Sequence, residues 1–184
     1  MSHADLYDIA VKQIDGVSTT LADFRGDVLL VVNVASKCGL TPQYEGLEKL
    51  YQSLRGKGFT ILGFPANDFL AQEPGSDDEI KAFCETTFDV RFPLFSKIPV
   101  VGTGRHPLYT ALIEAQPERI GEGPMRERLE GHGIPTHPAP EVLWNFEKFV
   151  IDRKGEVIAR FAPDVDADDE RLRQVLDKAL AEAA

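Results

Sequence analysis

The stretch Val28-Leu-Leu-Val-Val-Asn-Val-Ala-Ser-Lys-Cys-Gly-Leu-Thr-Pro42 decides how the chain folds. Its first seven residues form an apolar run rich in valine, the pattern of a strand buried on both faces. The run breaks at Ala35-Ser36-Lys37 and presents Cys38. Thr41 and Pro42 then read as an N-cap and a first-turn proline. One cysteine therefore stands where a core strand ends and a helix is about to start. The unpaired amides and positive dipole end of that helix favour a thiolate, and Lys37 adds a neighbouring cation. The plainer alternative is a buried structural thiol, for which a strand-end position before a helix is unusual.

Working outward, Leu47, Leu50, Tyr51 and Leu54 make one apolar stripe on a helix from Pro42 to about Arg55, which Gly56 and Gly58 end. Phe59 to Phe64 is a second apolar strand. Strand, helix and strand form a βαβ unit, so the two strands are expected to be parallel. Upstream, Asp15-Gly16 between Ile9–Ile14 and Val17–Thr20 signals a hairpin. Ser76-Asp-Asp-Glu79 is a capping box, opening a helix with Ile80, Phe83, Cys84 and Thr87 inward. A short helix runs from His106 to about Glu114. Residues 116–141, rich in Gly, Pro and charge, read as a surface excursion with one helical turn at Met125–Leu129. Phe146–Ile151 and Glu156–Phe161 flank a four-residue turn as an antiparallel hairpin. Leu172, Val175, Leu176, Ala179 and Leu180 then mark a last helix over about 168–182. The order βαβ, insertion, ββα predicts a single α/β domain over 1–184. Its expected layout is thioredoxin-like: a mixed central sheet flanked by helices, with an N-terminal β-hairpin.

The 184 residues carry a formal net charge of −10, which argues against nucleic-acid or anionic-membrane partners. No apolar run approaches membrane-spanning length. The start, Met1 to Asp8, has neither a basic nor an apolar segment, so no signal peptide is expected and the cytoplasm is the default. Two cysteines in such a compartment are not expected to hold a permanent disulfide, which leaves room for a transient one. His3, His106, His132 and His137 sit in unrelated contexts and read as solvated, with no metal site expected. Asp164-Val-Asp-Ala-Asp-Asp169 imitates the opening of a calcium loop. It lacks glycine at the sixth position and glutamate at the twelfth, so helix capping is the better account. Gly102-Thr-Gly104 lacks the strand and helix of a phosphate loop, and no cofactor is expected.

Ligands of α/β sheets sit beyond the carboxyl ends of parallel strands. Cys38 follows the first such strand, and Asn67 and Gln72 lie in the loop after the second. A strand at 146–151, antiparallel to both, brings Trp144 and Asn145 to the same edge. Side-chain amides and an indole N–H are neutral donors able to stabilise a thiolate and a developing oxyanion. A thiolate with room for a small oxidant attacks a peroxide oxygen and becomes a sulfenic acid.

Asn33-Val-Ala-Ser-Lys-Cys-Gly-Leu-Thr-Pro-Gln-Tyr44 resembles the nucleophile motif of the glutathione peroxidases, with cysteine where some animal members carry selenocysteine. Gly63-Phe-Pro-Ala-Asn-Asp-Phe69 with Gln72-Glu-Pro-Gly75, and Trp144-Asn-Phe-Glu-Lys-Phe149, resemble the family's second and third motifs. The resemblance, to the cysteine-containing bacterial, thioredoxin-dependent type, implies a catalytic tetrad of Cys38, Gln72, Trp144 and Asn145. It implies reduction of hydrogen peroxide and organic hydroperoxides, with thioredoxin or glutathione as reductant. Two departures stand out: Asp68 where the family usually has glutamine, and Ala66 where many cysteine-type members have a third cysteine. Cys84 alone on its helix reads as a small buried residue; the resemblance makes it the resolving cysteine. Two other functions compete. A thioredoxin-type disulfide oxidoreductase is opposed by Thr41, which stands where its second sulfur belongs. A non-catalytic thioredoxin-fold binding module would not need Cys38.

Overall fold

The computed structural model describes residues 5–183. A hairpin of β1 (Ala10–Lys12) and β2 (Ser18–Thr20) forms its own two-stranded sheet. Its turn places Gly16 at φ 90°, where a side chain would be strained. His3 lies outside the described residues.

The main sheet has the order β4-β3-β5-β6. Strand β3 (Val28–Val34) pairs in parallel with β4 (Phe59–Pro65) and antiparallel with β5 (Lys148–Ile151). Strand β6 (Val157–Phe161) completes the hairpin with β5. All seven residues of β3 are buried, as are all seven of β4. This is the thioredoxin-like arrangement, a mixed sheet flanked by helices.

Helix α1 (Gln43–Leu54) buries Tyr44, Leu47, Leu50 and Leu54. Both arms of the capping box at Ser76 and Glu79 are formed on α2 (Asp77–Phe88). Ile80 and Cys84 of α2 are buried and Phe83 half-buried, whereas Thr87 is exposed. The α2 inner face is thus narrower than its sequence spacing suggests. Tyr109 of α3 (Pro107–Ala115) meets Phe64 of β4 and Phe149 of β5 edge-on.

The 116–141 excursion is more ordered than expected. Instead of one turn it holds a ten-residue helix, α4 (Glu122–Gly131), anchored by buried Met125 and Leu129. Glycine, proline and charge hide such a helix, because among its described residues only Met125 and Leu129 are buried apolar anchors. Asp169 caps α5 (Glu170–Ala181) by accepting the Arg171 N–H at 2.9 Å, so the acidic run is a helix start. Among the described residues no helix is long and apolar enough to cross a membrane.

Candidate active site

Cys38 lies just past the carboxyl end of β3 and is 8% exposed. Thr41 does not cap the helix. Its hydroxyl donates to the Ala35 carbonyl at 2.8 Å and accepts the Cys38 N–H at 2.9 Å. Helix α1 starts one residue later, at Gln43, with no side-chain cap at Pro42. The sulfur accordingly meets the amide of Leu40, which donates to Sγ at 3.3 Å, rather than the first amides of the helix. A backbone N–H aimed at sulfur is a contact that an anion accepts better than a thiol does. Lys37 is exposed.

Gln72 is fixed at both ends. Its carbonyl accepts the Lys37 N–H at 3.0 Å, one residue before the cysteine. Its Oε1 accepts from Asn145 Nδ2 at 2.9 Å. The two residues ahead of it, Leu70 and Ala71, hold φ of 52° and 49°, a left-handed pair made without glycine. Such strain is common where a loop must present one side chain. Asn67 braces this loop from within, its Oδ1 accepting the Glu73 N–H at 2.9 Å.

Trp144 is 5% exposed, with its ring 5.2 Å from that of Phe69. Three distant segments, at 37–38, 67–73 and 144–145, thus meet at one sheet edge. Among the described residues the indole and the side-chain amides do not donate to Sγ; Asn145 spends its N–H on Gln72. Asp68 accepts the Val100 N–H at 2.8 Å, and burial raises its pKa against the pull of that bond and of His137.

Cys84 occupies the buried face of α2 as a free thiol. Burial pushes its pKa up to about 11; the neighbouring Tyr44 hydroxyl lowers it, and Glu73 and Glu85 add to the rise. Burial likewise raises Glu73, whose carboxyl Ser36, Lys97 and Lys37 partly offset. A pocket of about 280 Å³ lined by Ser36, Lys37, Glu73, Ile80 and Phe83 separates the Cys38 segment from α2.

Two histidines depart from the sequence reading. His106 is half-buried, caps α3 by accepting the Leu108 N–H at 3.0 Å, and is held below its ordinary pKa by burial. His137 is half-buried with its ring 6.0 Å from Phe69. Among the described residues no three His, Cys, Asp or Glu side chains are grouped to hold a metal ion.

The glutathione peroxidase family profile matches residues 6–113, a span that includes Cys38, Gln72 and Cys84. The chain belongs to the glutathione peroxidase family. It is similar to the thioredoxin/glutathione peroxidase BtuE of Escherichia coli (strain K12), 53% identical over 174 residues, 93% of this chain and 94% of that protein. It is also similar to the hydroperoxy fatty acid reductase gpx1 of Synechocystis sp. (strain ATCC 27184 / PCC 6803 / Kazusa), 45% identical over 173 residues, 91% of this chain and 95% of that one. Among solved structures, Trgpx in apo form matches with a TM-score of 0.74 and 33% identity, covering 100% of this chain and 99% of the other. As a glutathione peroxidase family member the protein is a thiol peroxidase, an oxidoreductase that turns over peroxides at the expense of a thiol reductant.

Buried polar residues were the part of the site that sequence reasoning passed over. Asn33 interrupts an apolar strand, and Lys148 and Glu147 sit inside the third motif; all three are 0% exposed. The signal was a polar residue in a run that should have none.

Proposed function

We propose that Cys38 is the peroxidatic cysteine, with Gln72, Trp144 and Asn145 completing its site, and that Cys84 resolves the oxidised form. The thiolate attacks the O–O bond of a peroxide. One oxygen stays on sulfur as sulfenic acid, and the other leaves as alkoxide or hydroxide and takes up a proton. The Cys84 thiol then attacks the sulfenic sulfur and expels water, giving a Cys38–Cys84 disulfide. A reduced dithiol returns both thiols by exchange. Thioredoxin fits as that dithiol, with glutathione as the second choice. Hydrogen peroxide and organic hydroperoxides are the substrates, the cytoplasm is the setting, and residues 1–184 work as one domain without nucleic-acid or membrane partners.

The observation that carries this reading is the hydrogen bond from Asn145 to Gln72, which ties two of the three motifs together beside the cysteine turn. The pocket between Ser36-Lys37 and α2 supports the second step, because it leaves room on the side from which Cys84 would come. A disulfide needs Cα atoms within about 7 Å, so the start of α2 opens as the bond closes. Thr41 is committed to the Cys38 turn, which leaves the disulfide-oxidoreductase reading without a second sulfur. The test is steady-state peroxide reduction with thioredoxin and with glutathione, in wild type, Cys38→Ser and Cys84→Ser. Cys38→Ser should lose turnover with either reductant. Cys84→Ser should lose the thioredoxin-linked reaction yet consume one equivalent of peroxide. Full thioredoxin-linked turnover by Cys84→Ser would remove Cys84 from the mechanism.

A further inference from the structure

The short connection from Leu143 to Phe146 carries Trp144 and Asn145 into the site, and its backbone is unusually constrained. Phe146 holds φ at 69°, in the left-handed region that favours glycine. A bulky residue stays there only when its surroundings over-determine it. Phe146 N–H donates to the Asn33 carbonyl at 2.6 Å. Asn33 Nδ2 donates to the Trp144 carbonyl at 3.2 Å. The Phe146 carbonyl accepts from Lys148 Nζ at 2.6 Å, and the same ammonium reaches the Pro163 carbonyl at 3.1 Å. Leu143 N–H donates to Glu147 at 2.9 Å.

The two side chains arrive from opposite sides. Lys148 is in register with Val32, the residue before Asn33, and successive strand residues point to opposite faces. Asn33 therefore holds the turn from one face of the sheet and Lys148 from the other. Neither is a sensible choice for packing alone. A polar amide inside β3 and a lysine at 0% exposure both cost desolvation, and an apolar residue of similar size usually does as well or better for stability. What they supply is directional: two bonds that fix where residues 144 and 146 point.

We propose that Asn33 and Lys148 are positioning residues for peroxide reduction, clamping the 144–146 turn from the two faces of the sheet so that Trp144 and Asn145 stay beside the Cys38 turn. Neither touches the sulfur; both act through the pair they orient. The proposal rests on the peroxidatic reading of Cys38 for its rate consequence, whereas its structural content stands on the turn itself.

Trp144 is the sole tryptophan of the chain, so its fluorescence reports this turn directly. The experiment compares wild type, Lys148→Met and Asn33→Leu. It measures acrylamide quenching and emission maximum of Trp144, the thermal midpoint, the single-turnover rate of Cys38 oxidation by hydrogen peroxide (acid quench and mass spectrometry), and the rate at which thioredoxin reduces the oxidised protein. The clamp predicts red-shifted, more readily quenched Trp144 emission in both folded variants. It also predicts Cys38 oxidation slower by on the order of 10- to 100-fold per folded molecule, with the thioredoxin step unchanged. A purely structural role would lower the thermal midpoint but leave the rate per folded molecule and the quenching at wild-type values; that result overturns the proposal. Should Lys148→Met fail to fold, Asn33→Leu decides by the same readouts. If wild type does not oxidise at Cys38, the peroxidatic reading fails, and the quenching of Trp144 still decides whether the two residues hold the turn.

Discussion

Lys148 makes a prediction of its own at the scale of one residue. Full burial brings its pKa down to about 7 from 10.5, against the pull of Asp166, Glu147, Asp164 and Asp169. Its neutral amine still has two N–H groups for two carbonyls, so the hydrogen bonds to Phe146 and Pro163 survive deprotonation. Between pH 7 and 10.5 the unfolded chain binds the proton that the folded chain releases. Stability attributable to this group is therefore complete above 10.5 and lost as pH falls through 7. Cys84 acts in the opposite sense: its thiol pKa is raised from 9.0 to about 11, so its contribution is complete below 9 and lost through 11. The clean window is pH 7 to 9. Urea denaturation there should show stability rising by at most about 1.4 kcal/mol per pH unit, and Lys148→Met should flatten that rise. An equal slope in the variant would refute the assignment. The same residue marks a limit of reading sequence: Lys148 is visible as a lysine inside an apolar strand, but its partners, Phe146 and Pro163, become apparent only once the chain is folded.

Among the elements, α2 links stability to chemistry most directly. Ser76 accepts the Glu79 N–H at 3.2 Å and Glu79 accepts the Ser76 N–H at 3.1 Å, so the helix start that the proposed disulfide would open is tied by two reciprocal bonds. Ser76→Ala should cost about 1 kcal/mol of stability. If opening of this turn limits disulfide closure, the variant should form the Cys38–Cys84 bond up to about fivefold faster after a peroxide pulse. An unchanged closure rate, followed by non-reducing peptide mapping, would locate the necessary motion elsewhere. The box was legible from Ser76 and Glu79 alone because its chemistry is local. Helix α4 was not, since Met125 and Leu129 are its buried anchors amid glycine, proline and charge. Thr41 misled for a related reason: a threonine before proline is a good cap by pattern, yet its hydroxyl found the Ala35 carbonyl and the Cys38 amide first.

Across the whole molecule, the excursion and the sheet are joined by one buried charge cluster. Glu147 of the third motif accepts from Arg160 of β6 at 2.6 Å and lies 3.1 Å from Arg119. Arg160 also donates to the carbonyls of Gln116, Pro117 and Pro140, while Arg119 reaches the Glu141 carbonyl. Removing the carboxylate leaves two guanidinium groups buried against each other, so Glu147→Ala should destabilise the fold by about 3–5 kcal/mol. Equilibrium urea denaturation measures it, and a loss below 1 kcal/mol would show that the cluster does not bind the excursion. Parallel and antiparallel pairing around Val28–Val34 could be read from the order of apolar runs, and with it the convergence of Cys38, Gln72, Trp144 and Asn145 on one edge. How those groups bond to one another could not. Periodicity says which side of a sheet a residue takes, but it says nothing of whether Asn145 donates to sulfur or to Gln72.

The most direct test of the account is sulfenic-acid trapping. Reduced Cys84→Ser protein is given one equivalent of hydrogen peroxide in the presence of a cyclic 1,3-dione and analysed by peptide mass spectrometry. The account predicts a single adduct on Cys38, absent from Cys38→Ser. An unmodified Cys38 peptide after the peroxide has been consumed would contradict it.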